Sequence, residues 1–187
     1  MGKINACVFI SGKGTNLKNL IKKSRDYNFP INIRLIISNN KKADGIIFAK
    51  KYLIPYFIIN TDTRNFEAVI LKLLEKYKIS LICLAGYMKI ISKNFLNKFG
   101  KKIINIHPSL LPKFKGLNTF SRILIEKEKK TGCTVHFVNE RLDGGTIIIQ
   151  KGFFISSQDD EKSLKKRTQS LEYLAYPEAL IKIYRYN

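Results

Sequence analysis

Asn105 and His107 offer the most chemistry for their spacing. They stand two apart at the end of the apolar run 103–107, Ile-Ile-Asn-Ile-His, so in an extended chain both side chains point to one face. Pro108 and Pro112 stop any regular element directly afterwards. A polar pair at the carboxyl end of a strand, followed by a rigid loop, is where α/β enzymes keep their chemistry. His107 is one of only two histidines among 187 residues, so proton chemistry near neutral pH falls to it or to His136. A carboxylate nearby would keep an imidazole charged, and Asp143, just before the flexible Gly144-Gly145, is placed to reach a neighbouring strand end. Each residue also has a plainer use. A histidine before proline can cap a loop, an aspartate before Gly-Gly can shape a hairpin turn, and Asn105 can bond a loop backbone. His136 shares a strand face with Thr134 and Val138, as a satisfied core histidine also would.

A second stretch, Ser11-Gly12-Lys13-Gly14-Thr15-Asn16, follows an apolar run at 4–10 and precedes a helical pattern at Leu17, Leu20 and Ile21. Strand, glycine loop, helix is the geometry that holds an anion on backbone N–H groups at a helix start, and it is also a plain tight turn. The loop is not a P-loop, because GxxxxGK[ST] is missing. It also fails the dinucleotide fingerprint: Leu17 takes the third glycine position, and Ser38-Asn39-Asn40 brings no carboxylate for a ribose.

Cys7, Cys83 and Cys133 are odd in number, far apart and set in apolar runs. That suits buried thiols in a reducing cytoplasm rather than disulfides. No serine or cysteine is paired with a base as a nucleophile, and two histidines without a His/Cys cluster give no expectation of a metal.

The elements that must position these residues follow in order. Strands are expected at 4–10, 31–37, 56–59, 81–85 and into 103–107, with helices between them at 43–52, 64–77 and 92–98. Thr63 is the expected cap of the helix 64–77, whose apolar face is Phe66, Val69, Ile70, Leu73 and Leu74. A helix at 118–129 leads to two strands, 132–138 and 146–155, joined by the Asp143-Gly-Gly turn, and a last helix at 160–184 is interrupted by Pro177. Alternating βα units with short loops predict one α/β domain over 1–187. Its three layers are a mostly parallel, twisted sheet of about seven strands, antiparallel at one side, with helices on both faces.

Four stretches carry a resemblance to a known family. Asn105-Ile-His-Pro-Ser-Leu-Leu-Pro112 resembles the signature of the folate-dependent formyltransferases. Ile10-Ser-Gly-Lys-Gly-Thr-Asn16, Leu84-Ala-Gly-Tyr-Met-Lys-Ile-Ile-Ser92 and 134–145, Thr-Val-His-Phe-Val-Asn-Glu-Arg-Leu-Asp-Gly-Gly, agree with it in order and rough spacing. The resemblance spans nearly the whole chain and implies the Rossmann-like formyltransferase fold. It implies transfer of the formyl group of 10-formyltetrahydrofolate, a co-substrate, to the amine of glycinamide ribonucleotide in purine synthesis, without a metal and by a monomer or homodimer. Such a transfer passes through a tetrahedral oxyanion and needs aimed donors and a proton route.

By the same resemblance Asn105, His107 and Asp143 are the catalytic set, and His136 lies in the site wall and helps orient Asp143. Residues 11–16 hold the substrate phosphate, and Glu172 contacts the substrate amine. Met88, Ile90 and Ile91 form the apolar slot for the pterin, with Lys89 and Arg64 as basic residues for its carboxylate tail. The chain departs from the family pattern at four places. Lys89 stands where arginine is commoner and loses the bidentate fork. Lys115 replaces a common proline. Asn118 and Phe120 stand where histidines are frequent.

Composition separates the alternatives. A net charge of +20 raises nucleic-acid binding as a possibility, but 18 of the 34 Lys and Arg lie in residues 1–100, so the charge is spread and mostly lysine. No specific nucleic-acid partner is expected. No apolar run approaches the roughly 18 residues of a membrane span, and no secretory signal is visible, so the expected location is the cytoplasm. A formyltetrahydrofolate hydrolase is the neighbouring alternative. Its relatives carry an extra amino-terminal domain, which is not expected here because residue 4 already begins the first strand. Methionyl-tRNA formyltransferases carry a carboxyl-terminal RNA-binding domain, not expected in a chain whose last helix ends near Asn187.

Overall fold

A computed structural model describes residues 2–185. The elements in chain order are β1 (Ile4–Ile10), α1 (Thr15–Ser24), β2 (Ile31–Ser38), α2 (Ile46–Lys51), β3 (Tyr56–Ile58), α3 (Phe66–Lys76) and β4 (Leu81–Leu84). They are followed by α4 (Lys93–Phe99), β5 (Lys102–His107), α5 (Thr119–Ile125), β6 (Lys130–Phe137), β7 (Ile147–Phe154) and α6 (Glu161–Arg185). The strands form one seven-stranded sheet in the order β3-β2-β1-β4-β5-β6-β7. β1 runs parallel to β2 and β4, and β2 to β3, whereas β6 and β7 are antiparallel. This is the expected mostly parallel α/β architecture. The chain forms two compact units, divided after Ile104.

In the first unit the strands bury continuous apolar runs, as strands covered on both faces must. Residues from Ala6 to Ile10 in β1 and Leu35 to Ile37 in β2 are fully buried. The β1–β2 register slips by one between Ala6 and Cys7, which leaves Arg34 unpaired and exposed between buried Ile33 and Leu35. The bulge turns the one charge in the strand to solvent without breaking the ladder. Leu17, Leu20 and Ile21 form the buried stripe of α1. Cys7 and Cys83 are both in this core. Burial, reinforced by its neighbour Cys83, pushes the Cys7 thiol well above its ordinary value.

Two local expectations fail here. Thr63 does not cap α3: Asn65 takes the cap position without a side-chain bond, and the Thr63 hydroxyl donates to Asn60 O. The apolar face of α3 is also narrower than its pattern suggests, with Ile70 and Leu74 buried but Val69 46% exposed. A short helix at the rim buries two positions per two turns, and the flanks of a wide stripe stay wet.

In the second unit β6 and β7 pair closely enough that Gly132, opposite Gly152, has no room for a side chain. A Cβ there would lie 1.9 Å from Lys151 O and 2.7 Å from Gly152 Cα. Gly132→Ala is therefore expected to destabilise the protein by about 3 kcal/mol or more and lower Tm by roughly 6–12 °C. A Tm within about 1 °C of the parent would show that the strands part there at no cost. α6 packs on β6 and β7 and runs on through Pro177 instead of stopping at it. Ala175, Tyr176, Ala179 and Leu180 flank the proline and are fully buried, so packing offsets the roughly 3 kcal/mol that an interior proline costs. Among the described residues no helix is long and apolar enough to cross a membrane.

Candidate active site

β5 delivers Asn105 and His107 at its carboxyl end, β6 delivers His136, and the turn before β7 delivers Asp143. The structure brings these four together. His107 Nδ1 lies 3.2 Å from Asp143 Oδ2, both side chains 7% exposed. Asn105 Nδ2 lies 3.4 Å from Asp143 Oδ1 and 3.2 Å from His136 Nε2, which is itself 3.6 Å from Asp143 Oδ1. Gly116 N–H donates to Asp143 Oδ2 at 2.9 Å. Asp143 holds a left-handed φ of 46°, a conformation that costs a non-glycine residue about 1 kcal/mol and is kept where the surroundings over-determine it. The expected turn is there, and its aspartate points inward.

The tautomers follow from which partners can only accept. His107 Nε2 lies 2.8 Å from Phe114 O, and a carbonyl only accepts, so Nε2 carries a hydrogen. The approach of Nδ1 to a carboxylate oxygen is attractive only with a proton between them. A proton placed between the two would couple them as a pair. His136 Nδ1 faces Phe137 O at 2.8 Å and donates there, while its Nε2 lies between the Asn105 amide at 3.2 Å and Asp143 Oδ1 at 3.6 Å. His136 thus orients Asn105 as well as standing beside Asp143.

Electrostatics corrects one expectation. Burial pushes the His107 imidazole down and outweighs the upward pull of Asp143 and the Phe114 carbonyl, while His136 and Arg122 push it further down. The net direction is downward, not the upward shift expected from the carboxylate alone. For Asp143, burial pushes upward, but the His136 hydrogen bond, the Gly116 N–H and the two imidazoles reverse it and hold the carboxyl below its ordinary value.

The glycine loop is in the first unit, and its backbone is fixed on two sides. Gly45 N–H donates to Gly12 O at 3.0 Å, and Gly14, at φ 68°, sits so close to Gly45 that a Cβ on it would lie 2.5 Å from Gly45 Cα. Ser11 departs from its expected role. Its N–H donates to Gly86 O at 3.1 Å, and its hydroxyl donates to Asn39 Oδ1 at 2.5 Å and accepts from Met88 N–H at 2.8 Å. A hydroxyl has one hydrogen, and Ser11 has committed it, so Ser11 is a tie between loops and not an anion donor. Gly12, Lys13 and Gly14 lead into α1, whose first residues are Thr15 and Asn16, and the positive end of that helix faces the loop.

The residues expected to take the pterin and its tail lie in the same unit. Met88 is 64% and Ile90 76% exposed, an apolar surface offered to solvent, with Ile91 half-buried. Lys89 Nζ lies 3.7 Å from Asp62 Oδ1, which brings the turn carrying exposed Arg64 towards the 86–91 loop. A pair so exposed is worth little and yields readily to a stronger anion. Glu172, on α6, is half-buried near Cys133, whose thiol is pushed up to about 12 by burial and then by that carboxylate. Cys133 and Thr134 point to opposite faces of β6, and Thr134 is bonded to Ser109 and Leu111 on its own side.

Of the positions that depart from the family pattern, Phe120 packs against the buried cluster of Phe114, Ile123 and Leu164, and Asn118 caps α5 in a left-handed conformation. Sequence reasoning missed four contributors: Phe114 O, Gly116 N–H, Gly45 and the Asn39–Asn40 pair that holds Ser11. Three act through backbone, which no side-chain motif announces.

Residues 4–180 match the formyl transferase family. The phosphoribosylglycinamide formyltransferase of Haemophilus influenzae is 42% identical over 174 residues, covering 91% of this chain and 82% of that protein. The trifunctional purine biosynthetic protein adenosine-3 of Gallus gallus is 39% identical over 182 residues, and the chain spans 18% of that longer protein. The crystal structure of phosphoribosylglycinamide formyltransferase from Brucella melitensis superposes with a TM-score of 0.92 at 36% identity, covering 97% of this chain and 96% of that one. The chain belongs to the formyl transferase family.

Proposed function

We propose that the protein transfers the formyl group of 10-formyltetrahydrofolate to the amine of glycinamide ribonucleotide in purine biosynthesis, acting in the cytoplasm on two small molecules and without a metal. The observation that carries this reading is the convergence of Asn105, His107 and Asp143 within hydrogen-bond reach of one another. The amine nitrogen attacks the formyl carbon, and the carbonyl oxygen becomes an oxyanion. Asn105 is the donor for that oxyanion. Its present contacts, 3.2 and 3.4 Å, are long, so a fully charged oxygen displaces them at small cost. The His107–Asp143 pair takes up the proton leaving the attacking amine, through water, and passes it to N10 as the C–N10 bond breaks. No covalent enzyme intermediate is needed.

Gly12, Lys13 and Gly14, with Thr15 and Asn16 at the start of α1, are the proposed phosphate cradle. Met88, Ile90 and Ile91 take the pterin, Lys89 and Arg64 its tail carboxylates, and Glu172 the substrate amine. The test follows the absorbance of 10-formyltetrahydrofolate deformylation with and without glycinamide ribonucleotide. Loss of the formyl group only when the ribonucleotide is present is the expected result. Equal rates without it identify a hydrolase, and no reaction in either case sinks the reading.

A further inference from the structure

The two groups that anchor the catalytic pair come from adjacent residues of one loop. Phe114 O holds His107 Nε2, and Gly116 N–H holds Asp143 Oδ2. Between them stands the Lys115–Gly116 peptide, a single rigid plane whose nitrogen faces Asp143 and whose oxygen must point the other way. That oxygen is taken by Arg122 Nη1, which reaches back from α5 to donate to Lys115 O at 2.7 Å. The same guanidinium lies 5.4 Å from the centroid of the Phe114 ring.

This loop does not hold itself. Phe114, Gly116 and Asn118 all have left-handed φ values, 58°, 78° and 54°. For Phe114 and Asn118 that conformation costs roughly 1–2 kcal/mol each relative to an ordinary one. Two things oppose relaxation: the Phe114 ring, buried against Ile123 and Leu164, and the Arg122 bond to the peptide oxygen. A flip of the Lys115–Gly116 plane would turn its N–H away from Asp143. With the guanidinium on its oxygen and the carboxylate on its nitrogen, the peptide is polarised in the direction that strengthens both bonds.

We propose that Arg122 is a positioning residue for the reaction: by gripping the Lys115–Gly116 peptide it fixes Asp143, and by holding the same loop it fixes the carbonyl that anchors His107. Arg122 touches neither substrate in this account. The identity of residue 115 is immaterial to the grip, because only its carbonyl is used, so the lysine found where the family commonly has proline carries no penalty. The proposal rests on the reading that His107 and Asp143 are catalytic.

The charged and titratable groups facing His107 are Asp143 from the turn before β7, His136 from β6 and Arg122 from α5. Arg122 therefore also sets the titration of His107, and its removal moves that titration to higher pH. The experiment compares Arg122→Gln, Arg122→Lys and His107→Ala in the full chain. Steady-state kinetics with both substrates is combined with NMR titration of the two histidine rings, assigned through His107→Ala. Arg122→Gln is expected to lower kcat about tenfold, with both KM values within about twofold, and to move the His107 titration upward. Arg122→Lys keeps the charge but loses the planar guanidinium that reaches Lys115 O while lying over the Phe114 ring, so it should lower kcat while leaving the titration in place. Unchanged kcat in both Arg122 variants, alongside an inactive His107→Ala, overturns the proposal. A nearly normal kcat in His107→Ala overturns instead the reading on which it rests.

Discussion

His107→Ala is expected to lower kcat by roughly 100- to 1000-fold with little change in either KM, as are Asn105→Ala and Asp143→Asn. The reasons differ. Asn105→Ala removes the oxyanion donor. His107→Ala removes the imidazole that passes the proton, whose Nδ1 lies 3.2 Å from Asp143 Oδ2. Asp143→Asn keeps the shape but spoils the bonding: an amide can accept at only one of its two positions, while Gly116 N–H and Asn105 Nδ2 both point at oxygen in the native site. Because His107 and Asp143 act as one unit, the double variant should be far less impaired than the product of the single losses. Multiplicative losses would show that the two work independently. Near-normal turnover in His107→Ala would sink the mechanism, since His136 is the only other histidine and its Nδ1 is committed to Phe137 O.

Gly14→Val is expected to raise the KM for glycinamide ribonucleotide by roughly 10- to 100-fold, the range set by losing about 1.5–3 kcal/mol of charge-assisted hydrogen bonding to phosphate. Both requirements of the position are violated. The φ of 68° is costly for a β-branched residue, and its Cβ would sit 2.5 Å from Gly45 Cα, so the loop must move. Gly45→Ala tests the same contact from the other side, with a Cβ 2.9 Å from Gly14 Cα and 2.8 Å from Ile10 Cδ1, and should act in the same direction with a smaller effect. The folate KM should change far less in both. Equal changes in the two KM values would refute the assignment of the loop to the phosphate.

The sequence revealed the strands and the side chains that come together, but not the backbone contacts that hold them. β1, β2 and β4 were legible because buried parallel strands are unbroken apolar runs, and the Asn105–His107 spacing marked the strand end because two prolines follow it. Pro177 misled because local propensity does not record how much of α6 is buried on β6 and β7. Val69 misled because periodicity gives the direction of a helix face but not its width. Ser11 lies in the glycine loop yet spends its hydrogen on Asn39, a partner 28 residues away. The His107 shift went the wrong way because a carboxylate neighbour is visible in a motif while burial is a property of the whole fold.

The three thiols give the protein a built-in clock. Alkylating reagents attack thiolate, and Cys7, Cys83 and Cys133 are wholly shielded from solvent, with Cys7 and Cys133 further disarmed by their raised ionisation. Labelling then waits for opening. Cys7 and Cys83 belong to the unit before Ile104 and Cys133 to the one after it, so the order in which mass is gained dates the opening of each. Adding either substrate and watching which label is delayed would locate its grip on the chain without a mutation.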